Sequence, residues 1–141
     1  EISALVKNKI DFEIIPGITA ASSAAASLNI GLTKTKLAPT VSIISGHENP
    51  FNNGTFVPFR KLSKQSTLVF YMVVENIERI AKGLIQIGWG KNTYCAIVEK
   101  AGLSNEKKRI GNLKCIKRLA AGIKPPAVFI VGDVLKYAIN R

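Results

Sequence analysis

The chain has 141 residues, of which 47% are hydrophobic and 21% are charged, and its formal net charge is +11 at pH 7. This length and balance are typical of one globular domain with a core of its own. The longest apolar runs, residues 67–74 and 127–131, are far shorter than the roughly 20 residues that a transmembrane helix needs. We therefore expect no membrane span, no signal peptide and a cytoplasmic location.

The first predicted elements are a helix end, a strand and a helix of small residues. The first residues carry Ile2, Leu5 and Val6 on one side and Lys7 and Lys9 on the other, which predicts the end of a helix. The apolar residues 12–15 predict a strand that Pro16 ends, because proline cannot donate to a ladder. Thr19 is a natural N-cap for a small-residue helix over residues 19–28.

The middle of the chain predicts two strands and one amphipathic helix. A β-branched run predicts a strand, and a later, continuously apolar run predicts a strand buried on both faces. The helix carries its apolar residues at helical spacing and ends at a glycine. In order, we expect a strand over 40–45, a loop over 48–54, a short edge or connector over 57–59, a strand over 67–73 and a helix over 75–87 ending at Gly88.

The last third predicts a strand over 93–99, a basic hairpin partner over 107–113 and a short helix over 116–121. A final strand over 127–131 runs into Gly132 and Asp133, and we interpret Asp133 as a turn residue. Strands and helices come in near alternation. The predicted fold class is therefore α/β, a mixed β-sheet with flanking helices.

Cysteine, histidine and charge usage limit the chemistry. Cys95 and Cys115 are far apart in sequence and His47 is the single histidine, so no metal-ligand spacing and no disulfide framework is present. A lone histidine has no partner for a nucleophile pair, so we leave His47 out of the catalytic set.

The basic residues fall in small groups, which is typical of a solubilising surface that also attracts polyanions. Aromatic residues do not interleave with them, which argues against nucleic acid. A basic RNA-binding module without enzymatic activity stays as an alternative, and it predicts salt-sensitive RNA binding.

The most informative motif is the stretch from Pro16 to Ala20, which places a strand, a tight turn and a small-residue helix in succession. Amides at such a helix start attract carboxylate or phosphate, and small side chains let a ligand come close. The same order is common in α/β proteins, so the motif alone favours a structural role.

Several segments together resemble the C-terminal half of a tetrapyrrole (corrin/porphyrin) methylase. The likeness is strongest to the branch that C-methylates uroporphyrinogen III, including the methylase module of sirohaem synthases. Each segment is a weak signal, but their order and spacing over nearly the whole chain are specific. The segments are FEIIPGITAAS (12–22), LT (32–33), VSIISGH (41–47), TLVFYM (67–72), VEKA (98–101), KPPA (124–127) and VGDV (131–134).

The resemblance implies that Thr19, Ala20, Met72 and Ala101 bind S-adenosyl-L-methionine, and that no metal is required. It implies C-methylation of uroporphyrinogen III to precorrin-2, in sirohaem or cobalamin biosynthesis, by a homodimer. A sister methylase acting on a later corrin precursor, on ribosomal RNA or on a modified histidine of elongation factor two is the alternative on the same fold.

The resemblance also implies that the chain is a fragment. The Gly-rich loop and the acid/base groups of these methylases belong to an N-terminal half, and no such loop occurs here. We therefore expect no catalytic residue in this chain, with residues 1–31 forming the end of the N-terminal domain and an interdomain helix, and residues 32–141 forming the C-terminal α/β domain. Residues 102–107 depart from the family's usual Thr-x-Pro-x-Gln-Arg, which affects substrate contacts rather than the fold.

Overall fold

A single mixed β-sheet organises the chain. The computed structural model describes residues 1–48, 54 and 56–138. Within them the strand order is β1-β2-β5-β3-β4. The strands are β1 (Thr40–Ser45), β2 (Ser66–Tyr71), β3 (Tyr94–Glu99), β4 (Lys107–Asn112) and β5 (Ala127–Val131). The α-helices are α1 (Ile2–Lys7), α2 (Ala20–Ser27), α3 (Ile77–Gln86) and α4 (Ile116–Ala120). Short 3-10 turns occupy Phe59–Lys61, Val74–Asn76, Leu113–Cys115 and Asp133–Tyr137.

The strand directions bring three strand ends to one edge of the sheet. β1 runs parallel to β2, while β5 is antiparallel to both β2 and β3. β1, β2 and β3 therefore point the same way, and their carboxyl ends, Ser45, Tyr71 and Glu99, meet at one edge. Glu99 pairs with Ala127, so β5 begins at that same edge.

Helices cover both faces of the sheet. On one face α3 and α4 pack over alternate residues of the central strands, where the rings of Phe59, Phe70 and Phe129 stack with centroid separations of 6.4 and 5.8 Å. On the other face the alanines of α2 approach Val69 and Ile130. Side chains alternate between faces along a strand, so the uninterrupted apolar runs of β2 and β5 supply both cores.

The predicted fold class is confirmed, and most elements lie within two residues of their predicted bounds. The predicted hairpin of residues 93–99 and 107–113 is present as the β3–β4 pair. Gly88 follows α3 with φ +98°, as a helix-ending glycine should. The helix predicted from residue 75 begins as a 3-10 turn and becomes α-helical at Ile77.

The predicted strand over residues 12–15 is wrong. These residues form no ladder, and Ile14 and Ile15 are 69% and 81% exposed. A strand needs a neighbour for its N–H and C=O groups, and no described segment lies alongside to provide them. The predicted connector over 57–59 leads into a 3-10 turn. Most of the predicted loop over 48–54 lies outside the described residues.

No described helix has the length and apolar character that crossing a membrane requires.

Candidate functional site

A cleft of about 610 Å³ opens at the edge where β1, β2 and β3 end. Ligand sites of open α/β sheets lie at the carboxyl ends of strands, so this position is the expected one. The walls are mostly apolar. The lining residues are Ala20, His47, Tyr71, Met72, Val73, Val74, Glu75, Val98, Lys100, Ala101, Leu103, Pro125, Pro126, Ala127 and Val128.

Two lining residues have left-handed backbone conformations. Met72 directly follows β2 with φ +50°, and Lys100 directly follows β3 with φ +55°. This region is uncommon for residues other than glycine, and such residues cluster at functional sites. The chain leaves both strands by a sharp turn exactly where each strand reaches the cleft.

Gly46 and Asn76 fix the turn at Met72. The N–H of Gly46 donates to the carbonyl of Tyr71, and Asn76 Nδ2 donates to the carbonyl of Gly46 at 3.0 Å. A Cβ on Gly46 would lie 2.5 Å from Tyr71 O and from Val73 Cα, and 2.8 Å from Met72 O. Position 46 must therefore be glycine for the end of β1 to approach this turn.

The start of α2 forms another wall of the cleft. Thr19 is its N-cap, with Oγ1 accepting from the N–H of Ser22 at 3.2 Å. The N–H of Ala21 donates to the Tyr71 hydroxyl at 2.8 Å. Two first-turn amides are thus already satisfied by the protein, and Tyr71 ties α2 to the end of β2.

A buried carboxylate holds the wall formed by Pro125 and Pro126. Glu99 is 2% exposed and accepts from the N–H of Lys124 at 3.1 Å, while Lys107 Nζ lies 3.5 Å from its other oxygen. The Lys124 bond first, and the positive charge of Lys107 second, hold the pKa of the Glu99 carboxyl below its ordinary value of 4.5. The carboxylate is therefore ionised at neutral pH.

A second carboxylate ties the turn after β3 to α2. Glu106 accepts from Ser27 Oγ at 2.6 Å and from the N–H of Gly102 at 2.8 Å, and Lys108 Nζ lies 3.5 Å away. These contacts, the Ser27 hydroxyl first, lower the pKa of the Glu106 carboxyl. The turn that carries Ala101 is consequently anchored to the helix across from it.

The cleft suits a ligand with a flat or apolar body and a few polar groups. Its volume lies within the usual range for small-molecule sites, and His47, Glu75 and Lys100 are the lining residues with ionisable side chains outside the tyrosine. Residues 1–48, 54 and 56–138 contain no group of three metal-ligating side chains of the His, Cys, Asp or Glu type.

Comparison with known proteins decides the family. Residues 1–117 match the tetrapyrrole (corrin/porphyrin) methylases. The chain belongs to this family.

Individual methylases give the same result. A siroheme synthase of Pseudoalteromonas atlantica is 39% identical over 137 residues, covering 96% of this chain and 29% of that protein. An S-adenosyl-L-methionine-dependent uroporphyrinogen III methyltransferase of Methanosarcina barkeri is 33% identical over 138 residues, covering 96% of this chain and 54% of that protein. The solved structure of a cobalamin biosynthetic enzyme, cobalt precorrin-4 methyltransferase, superposes with a TM-score of 0.81 at 26% identity, covering 95% of this chain and 57% of that one.

The chain thus spans between about a third and somewhat over half the length of these methylases. The activity of a whole methylase accordingly enters below as a proposal.

Three of the four residues that the resemblance assigns to cofactor binding line the cleft described above: Ala20, Met72 and Ala101. The fourth, Thr19, lies next to Ala20 but not among the lining residues, and its hydroxyl caps α2. Sequence reasoning from single residues set His47 aside, yet the structure places it in the lining.

The lining residues Glu75, Leu103 and the proline pair were not singled out as site residues either. A usable signal existed for the prolines, because KPPA is one of the segments shared with the family. Glu75 and Leu103 carry no such signal, since each enters the cleft through a turn that only the structure shows.

Proposed function

We propose that this chain is the C-terminal half of a methyltransferase that carries a methyl group from S-adenosyl-L-methionine to uroporphyrinogen III, giving precorrin-2 after two transfers. The observation that carries the proposal is the convergence of Ala20, Met72 and Ala101, from three distant segments, on one cleft. The siroheme synthase and uroporphyrinogen III methyltransferase relatives support the substrate. The product serves sirohaem or cobalamin biosynthesis.

The chemistry of the lining fits the cofactor. Ala20 and Ala101 have small side chains that leave room for a nucleoside, and Met72, 64% exposed, offers a polarisable thioether to it. Thr19 is proposed to contribute through the helix cap, which orders the first turn of α2 beside Ala20.

Catalysis in this proposal is chiefly positioning. S-adenosyl-L-methionine would supply an electrophilic methyl group: as the bond to an electron-rich ring carbon forms, the sulfonium–methyl bond would break and S-adenosylhomocysteine would leave, and the substrate would later lose a proton from another position. This chain's residues bind and orient the reactants. Holding two reactants in the right geometry removes a large part of the activation barrier for a transfer between them. Acid/base groups are proposed to come from the upstream half, so this chain alone is expected to be inactive.

The substrate is a polycarboxylate, and the charges of the chain suit it. Lys100 lines the cleft and the net charge is +11. A positive surface raises the local concentration of an anionic substrate.

A homodimer and a domain boundary after residue 31 complete the proposal, with α2 as an interdomain helix that packs on the sheet of the C-terminal domain. Phe12, Ile14 and Ile15 are 44%, 69% and 81% exposed, and no residue of the first 20 is buried. Exposed apolar surface of this kind is typical of an interface. Sedimentation of a strictly monomeric species at millimolar concentration would count against self-association.

The proposed function is tested first on this chain by NMR titration with S-adenosylhomocysteine. Amide signals of Ala20, Met72 and Ala101 should shift together. The affinity should be weak, because half of the contacts must still offset the full cost of immobilising the ligand. Met72→Ala should weaken binding with little loss of stability, since the side chain is largely exposed. Shifts confined to another surface would contradict the proposal.

The second test joins the chain to its upstream half and supplies uroporphyrinogen III with methyl-labelled cofactor. Label should enter the tetrapyrrole with the joined protein and not with this chain alone. Cobalt precorrin-4 methyltransferase and a uroporphyrin-III-C-methyltransferase of Thermus thermophilus superpose with TM-scores of 0.81 and 0.80, so a sister methylase of a later corrin precursor is kept as the second candidate. Label entering a later precursor, or ribosomal RNA, instead of uroporphyrinogen III would replace the first candidate by a sister methylase.

A further inference from the structure

The buried carboxylate of Glu99 has no role in the proposed chemistry, yet it lies at the cleft edge of the sheet. It is the last residue of β3 and immediately precedes Lys100 and Ala101. A buried charge is costly unless it is paired and hydrogen-bonded. Within the described residues, the Glu99 carboxylate has two partners, the N–H of Lys124 at 3.1 Å and Lys107 Nζ at 3.5 Å.

Within the described residues, Lys124, Pro125 and Pro126 are exposed, and the buried residues Ile123 and Ala127 flank them. Pro125 and Pro126 line the cleft, and neither has a backbone N–H to donate. Two hydrogen bonds of the described chain hold residues 124–126: the Lys124 N–H donates to Glu99, and the Lys100 N–H donates to the carbonyl of Pro126 at 2.9 Å. Both bonds join the proline wall to the end of β3.

We propose that Glu99 is a positioning residue for the cofactor cleft, because its carboxylate sets the place of the Pro125–Pro126 wall through the Lys124 amide. The inference rests on the proposed function, since it assigns the wall to the bound nucleoside. Glu99 does not line the cleft, so its effect on a ligand is indirect, and the bond to the Lys124 amide carries that effect to the prolines.

The contribution of Lys107 is separable from that of the Lys124 amide. Lys107 approaches from β4 with its side chain 58% exposed, so water screens much of its charge. The Lys124 amide belongs to the wall itself. The hydrogen bond from the Lys124 amide, rather than the ion pair with Lys107, should therefore fix the position of the proline wall.

The experiment compares three variants of this chain by NMR titration with S-adenosylhomocysteine at matched folded fraction. Glu99→Met, which removes the acceptor of the Lys124 N–H, should weaken binding about tenfold, the scale of one hydrogen bond to a charged group. Lys107→Met should change affinity by less than about twofold. Asp133→Asn is the matched control. It removes a carboxylate that pairs with Lys136 at 3.0 Å beyond the opposite end of β5, and it should leave binding unchanged.

Amide hydrogen exchange supplies a reading that general destabilisation would not give. In Glu99→Met the amides of Lys100 and Lys124 should exchange at least about tenfold faster, while amides in the middle of β2 keep their rates. If Glu99→Met does not fold, the unmodified chain decides the matter: S-adenosylhomocysteine should slow exchange at Lys124 as it slows exchange at Met72.

The outcomes separate the two proposals. If the unmodified chain binds S-adenosylhomocysteine away from the cleft or not at all, the proposed function fails and this inference fails with it. If the unmodified chain binds in the cleft, but Glu99→Met binds equally well or the ligand leaves Lys124 exchange unaltered, the positioning role alone is overturned.

Discussion

Replacing Gly46 by alanine tests whether the turn at Met72 is held by a close backbone approach. The added Cβ would lie 2.5 Å from Tyr71 O and from Val73 Cα, against the 3.4–4 Å of ordinary contact. Both obstacles are backbone atoms, so no side-chain rotation relieves the clash. The end of β1 and the turn must move apart.

The expected loss of stability follows from two contributions. Overpacking a tight contact costs about 1–3 kcal/mol. Moving Gly46 also weakens its bonds with Tyr71 O and with Asn76 Nδ2, at about 0.5–1.5 kcal/mol each. Gly46→Ala should therefore lower the free energy of unfolding by about 2–6 kcal/mol, a large share of the stability of a small domain.

Urea unfolding followed by the fluorescence of Trp89, which is buried, measures this loss. Two glycines provide controls. Alanine at Gly17 meets nothing within 4 Å and should change little, whereas alanine at Gly122, which has φ +70° and equally open space, reports the cost of the backbone conformation alone. If Gly46→Ala unfolds at the same urea concentration as Gly17→Ala, the close approach does not hold the turn.

Three further predictions concern single side chains. Thr67 Oγ1 is buried and has no hydrogen-bond partner in the described part of the chain, so Thr67→Val should raise the free energy of unfolding by about 1 kcal/mol in urea titration. The pKa values of Glu99 and Glu106 are lowered in the folded state, so the stability that these carboxylates contribute is complete above the ordinary pKa of 4.5 and is lost as pH falls below it. The urea midpoint should therefore drop over that acid range, and it should drop less when both residues are replaced by glutamine. Burial first, and the neighbouring Cys115 second, raise the pKa of Cys95 to about 12, so iodoacetamide at pH 8 should label Cys115 first and Cys95 only on unfolding, as peptide mass spectrometry can show.

The sheet and helices were accessible to sequence reasoning because their signals are local. β5 is a short apolar run bounded by Pro126 and Gly132, and the predicted and observed bounds coincide. α3 shows its apolar residues at helical spacing, and Gly88 marks its end. Periodicity and punctuation of this kind need no knowledge of the rest of the molecule.

The cleft was only partly accessible, because its shape depends on contacts between distant segments. Nothing in the local sequence predicts the left-handed backbone of Met72 or Lys100, because this conformation is ordinarily predicted from a glycine or an asparagine. The bond between Glu99 and Lys124 spans 25 positions and has no sequence signature. The wrong strand over residues 12–15 has the same origin, since a strand exists only where a neighbour pairs with it.

The two outer strands of the sheet, β1 and β4, differ in chemistry, and the difference limits how copies of the chain can pair through their sheets. The outer strand β4 begins with Lys107, Lys108 and Arg109, and lysine on an edge discourages pairing with another strand. The opposite edge, β1, has no charged residue and leaves Val41 and Ile43 exposed. Pairing through β1 would leave only the lysine-bearing β4 strands on the outside, so the chemistry of the outer strands favours a pair of chains over an extended sheet.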